Sequence, residues 1–201
     1  MPPARNLAIL LFDDAEVLDF CGPFEVFSVA SRQTDPPAFN VFTVAEKPAA
    51  ITARNGLSVN PRHHFADCPV PDVFLVPGGL GTRTEIDNRP LIDWIKRTAD
   101  KAELVLSVCT GALLLGKAGL LAGMGATTHH VGFDLLRQVA PTATVHENRR
   151  FVDNGRIITS AGIAAGIDMS LHVVERLLGQ DVAAATARQM EYPWKQESNG
   201  A

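Results

Sequence analysis

The chain has few of the residues that would commit it to a specialised class. It carries three cysteines, one tyrosine and two tryptophans in 201 residues, with Lys+Arg 18 against Asp+Glu 22. Three thiols in unrelated contexts (Cys21, Cys68 and Cys109) are an odd number and argue against a disulfide framework. A formal net charge of -4 supplies no basic field to hold a phosphate backbone, so nucleic acid is not an expected partner. No apolar run is long enough to cross a bilayer, and Met1 to Asn6 lead into a strand without a basic and apolar leader. No membrane association and a cytoplasmic location are therefore expected. At 46% hydrophobic and 20% charged residues the composition is that of a soluble globular protein, expected as one domain over 1–195 with a frayed tail at 196–201.

What is present is an alternation of short apolar runs and helical patterns. The runs at Asn6 to Phe12, Phe39 to Ala45, Asp72 to Val76, Leu104 to Val108 and Arg156 to Ser160 suit strands covered on both faces. Further strands are expected near Ala126 to Thr128 and at Phe151 to Asp153, and Asn55-Gly56 predicts a hairpin between Ile51 and Val59. Helices are expected over Phe24 to Ser31, Asn88 to Ala102, Thr110 to Leu121, Phe133 to Val139, from beyond Gly162 to Gly179, and from an Asp181 cap to Gln189. This order predicts an α/β fold, a mostly parallel sheet with helices on both faces. The ligand site of such sheets lies beyond the strands' carboxyl ends.

Two residues stand out at that edge. Ser107-Val108-Cys109-Thr110-Gly111 places a thiol between a buried strand and a helix, the local arrangement that exposes a nucleophile in hydrolases, although Ser107 occupies the usual glycine position. The helix amino terminus is expected to lower the Cys109 pKa; a cysteine that merely fills space is the competing reading. Asp19 follows the first strand and is expected at the same edge. A protonated Asp19 donating to the sulfur would make it a general acid, whereas a capping or turn role is equally compatible with its position. Asp13, Asp14 and Glu16 read as a solvated loop, and Glu25 as an exposed helix residue, with reach to the site as the competing reading. Gly78 and Gly79, after the Asp72 to Val76 strand, are expected to bring backbone donors close to the cysteine. Cys68 reads as a structural residue, and Cys21, nearer Asp19, as a packing residue or a second reactive thiol. The six histidines show no zinc spacing with cysteine or carboxylate, so no metal is expected.

Leu18-Asp19-Phe20-Cys21-Gly22-Pro23-Phe24-Glu25-Val26-Phe27, Val76-Pro77-Gly78-Gly79, Ser107-Val108-Cys109-Thr110-Gly111, Ala126-Thr127-Thr128-His129 and Ala161-Gly162-Ile163-Ala164-Ala165-Gly166-Ile167-Asp168 together resemble the ThiJ/PfpI family. The resemblance implies a flavodoxin-like three-layer sandwich and a homodimer. It is strongest to members that hydrate isonitriles to N-substituted formamides without metal or organic cofactor. In that chemistry Cys109 attacks the small-molecule substrate, Asp19 supplies a proton, and Thr110 tunes the sulfur or orients water. Gly78, Gly79, Gly162, Ile163 and His129 would line the substrate or an anion. Departures lie at Cys21, where a threonine is expected, and at His130, where a tryptophan is expected. Thr110 stands where peptidase-like members carry histidine, which disfavours proteolysis. Glyoxalase- or deglycase-like chemistry and redox or ligand sensing are the alternative functions.

Overall fold

The computed structural model describes residues 3–194, so the expected tail at 196–201 lies outside the described residues. Along the chain run β1 (Arg5–Leu11), α1 (Val17–Arg32), β2 (Phe39–Ala45), the antiparallel hairpin β3 (Ile51–Thr52) and β4 (Ser58–Val59), β5 (His63–His64) and β6 (Val73–Val76). There follow α2 (Thr82–Glu85), α3 (Arg89–Ala99), β7 (Leu104–Ser107), α4 (Gly111–Lys117), β8 (Gly125–Ala126), α5 (Phe133–Val139) and β9 (Thr144–Val145). The last elements are β10 (Phe151–Asp153), β11 (Ile157–Ser160), α6 (Ala165–Leu178) and α7 (Gln180–Gln189).

The main sheet has seven strands in the order β10-β11-β7-β6-β1-β2-β5, all parallel except β10. Its inner strands bury both faces: Leu7 to Leu10, Val73 to Val76 and Val105 to Leu106 have no exposed surface. Helices α1, α6 and α7 pack together against β1, β2 and β11, whereas α4 packs on β6 and β7 beside α2, α3 and α5. The central order β2-β1-β6-β7-β11 is the flavodoxin-like one, and the direction in which successive strands are added to the sheet reverses between β1 and β6, which themselves run parallel. In folds with this reversal the ligand site lies at the carboxyl ends of the strands beside it.

Several boundaries differ from expectation. Helix α1 begins at Val17 rather than Phe24 and carries Pro23 inside it. Proline reads locally as a breaker because it lacks an N–H donor, but burial of Phe20, Val26 and Phe27 holds the helix together across it. Helix α4 stops at Lys117, well before Leu121, because Gly119 takes φ +79° and Leu120 N–H turns back to Leu115 O. Gly179, not Asp181, precedes α7, which places Asp181 inside its first turn. Strands β5 and β9 and helix α2 span at most four residues each, too short to impose a periodicity.

Candidate functional site

The site is assembled by the loops after β1, β6 and β7. Glu16 N–H donates to Gly78 O at 3.0 Å, and Ala15 bridges Gly79, so the first loop lies directly on the second. This approach depends on glycine: at φ +122°, a Cβ on Gly79 would stand 2.3 Å from Asp14 O. Gly111 opens α4 against β6, where a Cβ would meet Val76 O at 2.2 Å. The Cys109 N–H donates to Ser160 O and Ala161 O at 3.1 and 3.2 Å, which ties the elbow to the end of β11. Cys109 itself adopts φ +56°, the left-handed conformation that L residues rarely take. Thr128 fixes the same turn by donating its hydroxyl to Cys109 O at 2.7 Å.

Asp19 lies in the first turn of α1 with no exposed surface, and its Oδ2 accepts the Gly78 N–H at 3.0 Å. Burial pushes its carboxyl up to about 7, and the Glu16 charge adds to the rise, against opposing contributions from Cys109 and the Gly78 amide. Asp19 Oδ1 is enclosed with no hydrogen-bond partner, while the carboxyl as a whole interacts with the Cys109 thiol.

Cys109 departs from expectation. Its thiol is pushed up to about 12, first by burial and then by the Asp19 charge, while the Thr110 backbone and hydroxyl oppose the rise. A helix terminus contributes about 1 kcal/mol, less than one pKa unit, whereas burial shifts pKa values by up to about 3–5 units. Burial wins, and the resting cysteine is a neutral thiol. The pair therefore loses its first proton near 7, chiefly from Asp19, and the remaining proton stays on sulfur. Above neutrality Asp19 is the acceptor in this pair, the reverse of the expected donor.

Thr110 is also buried. Its Oγ1 accepts the Gly79 N–H at 3.0 Å, lies 3.1 Å from Gly79 O and 3.2 Å from Thr82 Oγ1, and so clamps the second loop. The amides of Gly78 and Gly79 are consequently engaged with Asp19 and Thr110 side chains; they position these groups instead of pointing free donors at a ligand. Gly162 abuts His129, since a Cβ there would stand 2.0 Å from Cδ2 of the ring. His129 accepts the Val131 N–H on Nδ1 at 3.4 Å and is held below the usual histidine range, mainly by burial and then by His130 and Arg83. Ile163 takes φ +48° beside Gly162 at the turn before α6. Asp19, Thr110 and the two loop glycines are thus brought together around Cys109.

Sequence reasoning gave no role to Thr82 and Arg83, which open the four-residue helix α2, or to Thr128, quoted only as part of the Ala126 to His129 motif. Glu16 is only half-exposed, and its charge reaches Asp19, so it is not simply part of a solvated loop. Glu25 is exposed. Cys21 is exposed rather than packed, and Cys68 is half-buried before β6, at the opposite end of that strand from Gly78. Among the described residues no group of three His, Cys, Asp or Glu side chains is placed to hold a metal, and no helix is long and apolar enough to cross a membrane.

The DJ-1/PfpI family model matches residues 5–176, which takes in every element from β1 to most of α6. The chain belongs to this family. It is 38% identical over 190 residues to the isonitrile hydratase of Pseudomonas putida, covering 94% of this chain and 79% of that protein. It is 24% identical over 188 residues to the HTH-type transcriptional regulator GbdR of Pseudomonas aeruginosa, of which it spans 51%. A ThiJ/PfpI family protein from Pseudomonas syringae superposes with a TM-score of 0.86 at 29% identity, over 98% of this chain and 78% of that one.

Proposed function

We propose that the protein hydrates isonitriles to N-substituted formamides, with Cys109 as nucleophile and Asp19 as the group that moves the proton. The observation that carries this reading is the burial of the Asp19 carboxyl beside the Cys109 thiol at the strand-to-helix corner, with Oδ2 held by the Gly78 N–H at 3.0 Å and burial raising the pKa of both groups. The similarity to an isonitrile hydratase supports the substrate class.

The chemistry follows from the proton that this pair shares. As the sulfur bonds to the terminal isonitrile carbon, its proton passes to Asp19, which delivers it to the same carbon and leaves the thioimidate R–N=CH–S–Cys109. Water then adds to this carbon, the carbon–sulfur bond breaks, a proton returns to the Cys109–Asp19 pair, and the product is R–NH–CHO. The sum is one isonitrile plus one water, with no oxidant, metal or organic cofactor in the balance. Burial of both groups keeps water away from the proton they share. Thr110 acts by holding Gly79 and, through it, the loop that carries the Gly78 contact to Asp19. Gly162, Ile163 and His129 form the side of the site nearest β11.

The same proposal includes a cytoplasmic homodimer acting on a small molecule, and the exposed apolar side chains Leu18, Leu80 and Val131 around the site offer surface for a second copy. Light scattering that returns a monomer at micromolar concentration counts against the dimer.

Formation of N-cyclohexylformamide from cyclohexyl isocyanide, with methylglyoxal in parallel, tests the activity. Wild-type turnover lost in Cys109→Ala is expected, whereas turnover of methylglyoxal alone moves the protein to glyoxalase-like chemistry. The similarity to GbdR favours a second reading, ligand sensing without turnover. Saturable isonitrile binding with no formamide would select it.

A further inference from the structure

We propose that a cleft between α3 and the segment 65–71 is a second, non-catalytic binding site for a small monocarboxylate with an apolar body. The cleft encloses about 380 Å³ and lies at the amino end of β6, at the opposite end of the strand from Gly78. Sites for small organic ligands start at about 300 Å³.

One face of α3 supplies the polar groups. Trp94 and Thr98 are one turn apart, each only 7% exposed, and both line the cleft. Among the described residues neither the Trp94 indole N–H nor the Thr98 hydroxyl has a hydrogen-bond partner, and neither is sealed off from the cleft as the orphan oxygen of Asp19 is. A buried donor without a protein partner needs one from elsewhere. Both face a space that a ligand oxygen can occupy.

Charge and apolar surface select the ligand class. Arg97 and Lys101 stand on the same rim with no ion pair among the described residues, against the carboxylates of Asp100 on that rim and of Asp67 in the facing segment, whose Oδ1 accepts the His64 N–H at 2.8 Å and whose charge reaches Cys68. At the carbonyl end of α3, which would repel an anion, Arg156 donates to Ala99 O and, at 3.3 Å, to Ala102 O just beyond the helix. The remaining wall is apolar, with Val70 57% exposed. Trp94 is stacked on Phe65 with ring centroids 4.2 Å apart and meets Phe74 edge-on at 5.3 Å. It is therefore fixed before any ligand arrives, which lowers the entropic cost of binding. Two neutral donors, two cations and an apolar wall complement a carboxylate with an aryl or alkyl body, whereas a fully hydrated inorganic ion would leave the wall uncovered.

Protein NMR tests the site directly, because Trp94 and Trp194 are the two tryptophans and contribute two indole N–H signals. Titration with phenylacetate is expected to shift the Trp94 indole signal saturably, with a Kd of about 1 mM or tighter, and phenethylamine at the same concentrations is expected to leave it in place. The paired change Arg97→Glu and Lys101→Glu on the exposed rim is expected to weaken phenylacetate at least tenfold, and Cys109→Ala to leave it unchanged. An absent or non-saturable shift, an equal response to the amine, or dependence on Cys109 overturns the proposal. If the doubly changed protein fails to fold, the carboxylate-to-amine contrast in the wild type decides alone.

Discussion

Asp19 Oδ2 accepts the Gly78 N–H at 3.0 Å while a Cβ on Gly78 would stand 2.9 Å from that same oxygen and 2.5 Å from Thr110 N. The proton-moving carboxyl is thus held by an amide whose residue has no room for a side chain, and the pair constrains what sequence the site tolerates.

Gly78→Ala is accordingly expected to separate Asp19 from Cys109. Backbone neighbours cannot rotate away, so the loop must shift, at a cost of about 1–3 kcal/mol. Formamide production should fall at least tenfold in protein that remains folded by circular dichroism. Unchanged turnover would remove the glycine from the positioning of the site.

Removing the carboxyl separates its roles in stability and catalysis. Folding raises the Asp19 pKa from 3.8 to about 7, so its ionisation is penalised in the native state; the contribution of Asp19 to stability falls as pH rises from about 4 to about 7 and is level above that. Asp19→Asn lacks this penalty. Its stability relative to wild type is expected to grow across that window by at most about 4 kcal/mol, read from urea midpoints at each pH. Turnover is expected to drop about 10²–10⁴-fold.

The pH–rate profile follows from the same pair. The competent form carries one proton, so kcat/KM is expected to rise with pH through about 7 and then to level off. Since Asp19→Asn removes the titrating carboxyl, its residual activity should lose that acid limb; a limb that persists unchanged assigns the titration to another group.

At Cys109 the backbone predicts an ordering that chemistry alone does not. Both Cys109→Ala and Cys109→Gly remove the sulfur, but only glycine accepts φ +56° without strain. The glycine variant is expected to be more stable than the alanine variant by about 1 kcal/mol in urea, both being inactive.

Ser107 carries a fully buried hydroxyl with no hydrogen-bond partner two residues before the nucleophile. Ser107→Ala removes an unsatisfied polar group and is expected to raise stability by about 1 kcal/mol with turnover retained. A loss of turnover would give that hydroxyl a part in the reaction.

Much of this was legible from local pattern. The apolar runs at Leu7 to Leu11, Val73 to Val76 and Leu104 to Leu106 are strands because only a sheet buried on both faces accommodates such stretches, and their alternation with helices implies the parallel order. The strand-to-helix corner put Cys109 at the carboxyl edge, and the short chain segment after β1 put Asp19 there too. What local pattern could not decide were properties that depend on neighbours distant in sequence. Pro23 looks like a helix breaker until Phe20 and Phe27 are seen packed in the core, and the Cys109 pKa looks lowered until burial and Asp19 surround the thiol. The amides of Gly78 and Gly79 look free until Asp19 and Thr110 claim them. Sequence alone determined which residues reach the sheet edge, because periodicity and turn chemistry are local. Tertiary structure decided which atom holds the proton there, because desolvation and charge coupling act only after the loops have closed on one another.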